Sequence, residues 1–180
     1  VDVQRDTLSI LAQGKLISRK AQLLAVKCCR ITEGTQVLGL SEGNVTRVEC
    51  VNADCLDHAI QIQKENERSV KVCVLVHGSG ENPGGGYKKG ASGQEEDICR
   101  RTNLVSCVEG VRYPLPEFGS LYIPSLYVIR GGKSDDFKVY PKPVELSAIV
   151  SHAYMHPPTD KTGMNLSGRY EEKTYRKILN

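Results

Sequence analysis

Residues 69–105 read SVKVCVLVHGSGENPGGGYKKGASGQEEDICRRTNLV, and this stretch decides the fold. The apolar run Val70, Val72, Cys73, Val74, Leu75, Val76 predicts a strand covered on both faces, since little polar alternation marks a wet side. A loop with six glycines between Gly78 and Gly90 follows, and then Gln94 to Val105 with helical spacing. Strand, glycine-rich loop and helix form the layout in which backbone N–H groups converge on an anion. Glycine adopts positive φ and leaves no side chain in the way, while the helix N-terminus adds partial positive charge. Two carboxylates, Glu95 and Glu96, stand directly after the loop, so an anion cradle sits beside a potential acid or base.

Upstream, Asp2 to Gln13 places Val3, Thr7, Ile10 and Leu11 on one stripe, and Gly14 is positioned to end that helix. Residues 15–40 are ambiguous, with LLAVKCC readable as a strand or a helical turn. Val45 to Val51 reads as a strand, and Asp54 caps a helix carrying Leu56, Ala59, Ile60 and Gln63. Downstream, Tyr113 to Phe118 is a connector, and Leu121 to Ile129 is a strand that Pro124 marks as bent or at an edge. Gly131 to Asp136 is a polar turn, Val144 to Ser151 another strand, and His156 to Ser167 a loop. From Arg169 on, Tyr175, Ile178 and Leu179 begin a helical stripe that Asn180 cuts off. Alternating strands and helices predict an α/β domain with a mixed sheet.

At 180 residues the chain is long enough for one domain with a sizeable core. A net charge of +3 is too small to imply nucleic acid, and no apolar run approaches the length that crosses a bilayer. The seven cysteines are odd in number and lie mostly in apolar segments, which points to reduced thiols in a cytosolic-type compartment. Cys50 and Cys55 lack a second Cys or His pair, so core thiols are favoured over zinc. The chain opens on Val1, as a processed, excised or incomplete product would.

The glycine loop fits neither standard nucleotide fingerprint. Pro83 interrupts GxGxxG, and GGGYKKGAS lacks the Gly-Lys-Ser/Thr ending of a Walker loop. Adjacent helical residues point about 100° apart, so Glu95 and Glu96 cannot reach one atom equally. As a first helical turn they could equally be solvated acids favoured by the dipole. Asn82 is open between a ligand contact and a turn residue. Tyr87, Tyr122 and Tyr127 could stack on a flat ring of a ligand or pack in the core, and His77, His152 and His156 lack the spacing of a triad or metal site.

Gly84-Gly85-Gly86, seven intervening residues and Gln94-Glu95-Glu96 together resemble the GGG…QEE signature of microbial-type poly(ADP-ribose) glycohydrolases, a divergent branch of the macrodomain fold. The likeness extends from Asn82 to Val105, to RDTLSILAQGKL near the N-terminus, and to GSLYIPSLYVIR and VELSAIVSHA downstream. It implies a three-layer macrodomain-like α/β fold with a mixed central sheet flanked by helices, and one catalytic domain over 1–180. It implies an ADP-ribosyl glycohydrolase in which Glu96 is the catalytic acid/base and Glu95 supports it. Asn82, Gly84, Gly85, Gly86 and Gln94 would bind the ligand. The expected partners are ADP-ribose, poly(ADP-ribose) or an ADP-ribosylated protein in the cytoplasm, or the nucleus of a eukaryote, with no metal, cofactor, nucleic acid or membrane.

The sequence departs from this family twice. Val76-His77-Gly78-Ser79-Gly80 stands where the family reads like Asn-Phe-Ala-Ser-Ala. The family also continues, past a helix like the one beginning near Glu171, into a strand and a second glycine-rich loop, so a chain truncated at its C-terminus is expected. Two alternatives therefore stand beside the enzyme: a non-catalytic module binding ADP-ribose or a related nucleotide, and a degenerate fragment with neither property.

Overall fold

A computed structural model describes residues 2–32, 47–66, 69–160, 162 and 171–174. The elements in chain order are α1 (Asp2–Gln13), α2 (Arg19–Lys27), β1 (Arg30–Thr32), α3 (Cys55–Glu65), β2 (Cys73–His77), α4 (Gln94–Arg101), α5 (Leu104–Glu109), β3 (Ser120–Arg130) and β4 (Val139–Ser151). The strands form one sheet in the order β1-β3-β4-β2. β1 with β3 and β3 with β4 are antiparallel, while β2 lies parallel to β4 with Cys73 opposite Ser147 and His77 opposite Ser151. This is the mixed sheet with flanking helices that the sequence predicts.

Alternation along the strands sorts residues between the faces. Val74 and Val76 of β2, Leu121, Ile123, Leu126 and Val128 of β3, and Leu146, Ala148 and Val150 of β4 join one buried cluster. Leu56, Ala59 and Ile60 of α3, Ile98 of α4, and Leu104, Val105 and Val108 of α5 complete it. On the other face of the strands Leu75, Tyr122 and Ile149 are exposed among the described residues. β2 therefore alternates, with Cys73, Leu75 and His77 exposed, and it is not covered on both faces as the apolar run suggests. Its start is also later, because Val70 and Val72 precede the ladder. Val144–Ser151 is a strand as read, although β4 begins five residues earlier, at Val139.

α1 spans the residues predicted for it, and Gly14 closes it at φ 68. Leu11 meets Ile17 and Ile129 in a smaller cluster, and Thr7 Oγ1 donates to Arg100 O at 2.5 Å, tying α1 to the end of α4. The ambiguous LLAVKCC is helical in α2 and leads into the short β1. Among the described residues, 47–51 form no strand, contrary to the expected strand Val45–Val51, whose first two residues lie outside the described ones. Residues 33–46, the stripe of Tyr175, Ile178 and Leu179, and residues 161 and 163–167 of the expected loop also lie outside them.

Pro124 does bend its strand: the β3–β4 register shifts between Ile123 and Leu126. Among the described residues β1 pairs β3 only at Ser120 to Tyr122, so Pro124 lies past the end of that pairing and its strand has β4 alone as a ladder neighbour there. The predicted single helix Gln94–Val105 is instead two, broken at Thr102 and Asn103. Thr102 turns extended (φ −138, ψ −179). Its Oγ1 donates to Ile98 O at 2.8 Å and accepts from Leu104 N at 3.0 Å, so the hydroxyl closes one helix and opens the next. Asn103, fully buried, accepts the Tyr127 amide on Oδ1 at 2.7 Å and donates its own N–H to Tyr127 O at 3.3 Å. The break thus docks the helix pair onto the side of β3 that faces away from β4, past the three residues that β1 pairs. Helical spacing continues through these residues, and only the side-chain hydrogen bonds interrupt it.

Candidate active site

The loop between β2 and α4 wraps over the first turn of α4, and its amides are taken by the helix's own carboxylates. Glu95 is buried, and its Oε2 accepts the Ser79 N–H at 2.8 Å. Glu96 is half-buried, and its Oε1 accepts the Gly86 N–H at 2.8 Å. The two side chains leave the helix in different directions, yet both come to rest against Gly85. A Cβ there would lie 2.5 Å from Glu96 Oε1 and 2.9 Å from Glu95 Oε2. Gly85 also holds φ 58, and Gly84 φ 71. The central glycine is therefore required by close approach and by conformation together. The cradle expected for a ligand anion is, at Ser79 and Gly86, occupied by glutamates.

Burial is the main cause that raises the Glu95 pKa, from an ordinary 4.5 to about 7. The charge of Glu96 adds to that rise, and the Ser79 and Gly84 amides oppose it. The acid is thus poised near neutrality because its burial outweighs its two amide donors. Glu95 Oε1 is buried with no hydrogen-bond partner among the described residues.

Asn82 serves the turn through its backbone: its N–H donates to Ser79 Oγ at 3.0 Å, and its carbonyl accepts the Gly85 N–H at 2.9 Å. Its side chain is exposed beside the loop, so a ligand contact remains compatible with the turn. Gly86 passes close to Ala91, where an added Cβ would meet the Ala91 Cβ at 2.8 Å. Gly84 packs against the ring of Tyr87, which is buried and donates its hydroxyl to Glu109 at 3.0 Å. That places Tyr87 in the core. Tyr127 is partly buried against the same core, and Tyr122 is exposed on β3.

Gln94 has a protein-facing job. Its Oε1 accepts the His77 N–H at 2.7 Å, and its Nε2 donates to Leu75 O at 3.0 Å. The side-chain amide thus takes the place of a strand peptide along the outer edge of β2, satisfying backbone groups that face away from β4. The same amide approaches Cys55 Sγ at 3.5 Å. Gln94 thereby fixes the start of α4 to β2 and so sets where Glu95 and Glu96 stand.

Behind the site, Arg101 is completely buried among carboxylates. It pairs with Asp54 at 2.8 Å and Asp97 at 3.3 Å, and also with Asp57. Asp54 is at the same time the N-cap of α3, accepting from Leu56 N and Asp57 N at 3.0 and 2.9 Å. Burial pushes its carboxyl up, but those amides and Arg101 outweigh it and hold Asp54 below the ordinary carboxylate value. The network locks α3 to the base of α4. Sequence reading did not single it out, although Asp97 and Arg101 lie one helical turn apart and Asp54 and Asp57 bracket the start of a helix.

Among the described residues no group of three or more His, Cys, Asp or Glu side chains could hold a metal ion, and no helix is long and apolar enough to cross a membrane. All seven cysteines are free thiols.

The architecture matches known structures. Over 99% of this chain and 73% of the other, poly(ADP-ribose) glycohydrolase from Thermomonospora curvata superposes with a TM-score of 0.73 at 20% identity. The same enzyme bound to the inhibitor ADP-HPD gives 0.71 at 22% identity, covering 99% of this chain and 72% of that one. Poly(ADP-ribose) glycohydrolase from Deinococcus radiodurans in complex with ADP-ribose gives 0.65 at 19% identity, covering 91% and 71%. At such identities the likeness establishes the fold. No curated protein matches the sequence. The sequence model of the microbial-type PARG catalytic domain matches residues 4–115, from α1 through the glycine loop and both carboxylate-bearing turns to the connector after α5. With well over half its length matched, this chain belongs to the microbial-type PARG catalytic-domain family.

Proposed function

We propose that this chain hydrolyses the glycosidic bond of poly(ADP-ribose) or of protein-linked ADP-ribose, with Glu96 as the acid/base and Glu95 as its partner. The observation that carries the reading is the convergence of two adjacent carboxylates on Gly85, one buried and one half-buried. Membership of the poly(ADP-ribose) glycohydrolase family supports the substrate class. So do the solved relatives with ADP-ribose or ADP-HPD bound.

Glu96 is the better candidate for contact with substrate. It is less buried than Glu95, and its Oε2 has no hydrogen-bond partner among the described residues. Burial raises the pKa of the neighbouring Glu95 to about 7, and the charge of Glu96 adds to that rise. Cleavage then proceeds in balanced steps. Glu96 donates its proton to the leaving oxygen as the C–O bond at the anomeric carbon breaks, and the bonding electrons leave with that oxygen. The ribosyl group develops oxocarbenium character. Water adds at the anomeric carbon and returns a proton to Glu96, giving free ADP-ribose and the shortened polymer or unmodified acceptor. The backbone of Gly84 to Gly86, with no side chains of its own, and the exposed side chain of Asn82 would accommodate the ribose. A cytosolic setting fits the seven free thiols.

The test is release of ADP-ribose from a poly(ADP-ribosyl)ated protein by the native chain and by Glu96→Gln. Release that disappears in the variant, while ADP-ribose binding by calorimetry persists, is the expected result. Retained turnover in Glu96→Gln would remove that residue from the chemistry. Binding without turnover by the native chain would establish the non-catalytic module in place of the enzyme.

A further inference from the structure

The carboxyl group of Glu95 is half-satisfied: Oε2 takes the Ser79 amide, while Oε1 is buried without a partner among the described residues. The Tyr113 hydroxyl is a second buried polar atom in the same condition. Tyr113 begins the connector between α5 and β3, and two residues on, Leu115 N donates to Gly80 O at 2.8 Å. The connector is therefore tied to the loop segment whose Ser79 amide grips Glu95. Burial, then the charge of Glu95 and then Cys99 push the Tyr113 phenol above its ordinary pKa. A phenol can donate and a carboxylate oxygen can accept. Two buried, complementary, unpartnered groups on segments joined to one loop are costly apart and inexpensive together.

We propose that Tyr113 is a positioning residue for the carboxylate pair, its hydroxyl serving as the donor to Glu95 Oε1 through one bridging water. This rests on the glycohydrolase reading and deepens it, because it names the group that holds the Glu95 carboxyl in place beside Glu96. A phenol donating to Glu95 favours the charged form of Glu95 and opposes the effect of its burial. Other groups bear on Glu95 as well. From its own helix this is Glu96, from the loop the Ser79 and Gly84 amides, and beyond Gly84 stands the Tyr87–Glu109 pair. None of these supplies a donor to Oε1, so Tyr113 is the side chain assigned to it.

The experiment is a carbon-13 NMR titration of the whole chain with labelled glutamate, the Glu95 carboxyl signal being assigned by its loss in Glu95→Gln. Tyr113→Phe removes the oxygen and keeps the ring, and it should raise the Glu95 midpoint by about one pH unit. If that variant does not fold, 3,5-difluorotyrosine at position 113 provides a stronger donor and should move the midpoint down. An unchanged midpoint in a folded variant of either kind overturns the proposal. The titration needs no turnover, so it stands apart from the glycohydrolase test: a native chain that releases no ADP-ribose sinks that reading, and the Glu95 midpoint still reports on Tyr113. In an active chain the pH–rate profile of Tyr113→Phe should shift with the midpoint, which loss of packing alone would not produce.

Discussion

Gly85→Ala is the substitution that most directly tests how the site is built. The added methyl brings two separate penalties. One is conformational: φ 58 suits glycine, and a residue with a Cβ there loses about 1 kcal/mol. The other is steric, since the new Cβ would stand 2.5 Å from Glu96 Oε1 and 2.9 Å from Glu95 Oε2. Glu96 is half-buried and can swing away, but it then gives up the Gly86 amide, a charge-assisted bond of 2.8 Å. Such a bond contributes about 1.5–3 kcal/mol. Glu95 is buried and has less room to retreat, so the loop must rise instead. A stability loss of about 3 kcal/mol is expected from the backbone and one hydrogen bond together. Turnover should fall by about 10²-fold, because a displacement near 1 Å at a reacting group is worth that much.

Urea denaturation gives the first quantity, and ADP-ribose release from a poly(ADP-ribosyl)ated protein gives the second. A second substitution separates the steric part from the conformational part. Glu96→Asp withdraws the carboxylate by one methylene, so in the double variant part of the Gly85→Ala loss should be recovered, a coupling between neighbours. If Gly85→Ala stays within about 0.5 kcal/mol of the native chain and turns over normally, the loop does not rest on the carboxylates and the reasoning fails.

Two further predictions use the buried charges. Arg101→Met leaves Asp54, Asp57 and Asp97 facing one another without their cation, and urea denaturation should show a loss of about 3–5 kcal/mol. A loss below about 1 kcal/mol would mean that the aspartates, each partly exposed, simply turn to water. Glu95→Gln should change how stability depends on pH. The folded pKa, about 7, lies above the ordinary 4.5, so the folded chain binds the extra proton and its advantage is complete below about 4.5 and lost as pH rises through 7. Relative to the native chain, the variant should therefore gain up to about 3 kcal/mol between pH 4 and pH 8, and parallel pH curves would show that Glu95 titrates normally.

The elements that could be read from the sequence are those that one local signal determines. α1 carries an apolar stripe and a closing glycine, and α3 carries Asp54 as its cap; both were found where expected. The α4–α5 break was not legible, because Thr102 and Asn103 interrupt a helical pattern only by hydrogen bonds to Ile98, Leu104 and Tyr127. Tyr127 lies 24 residues downstream of Asn103, and no local window contains both. β2 was misjudged for a related reason. An apolar run fits a strand covered on both faces or a half-exposed one, and the burial of alternate residues is decided by what the tertiary fold brings over each face.

The same distinction explains the site. GGG and QEE are readable as a motif, but the motif does not say which group each residue serves. Gln94 and Glu96 are two residues apart on one helix, so they face different directions. Gln94 turns to the free edge of β2, and Glu96 turns to the loop. An amide that satisfies a strand edge carries no mark of that role in sequence, and the bonds to Leu75 and His77 reveal it. The glycines carry the same lesson. A phosphate cradle needs backbone without side chains, and so does a loop that must cross two carboxylates at hydrogen-bonding distance. Here the second requirement is met at Gly85, and it holds the acid pair in register before any ligand arrives. A site built this way is preorganised by its own anions, which is why its first-turn acids are gripped by loop amides instead of being left to the solvent.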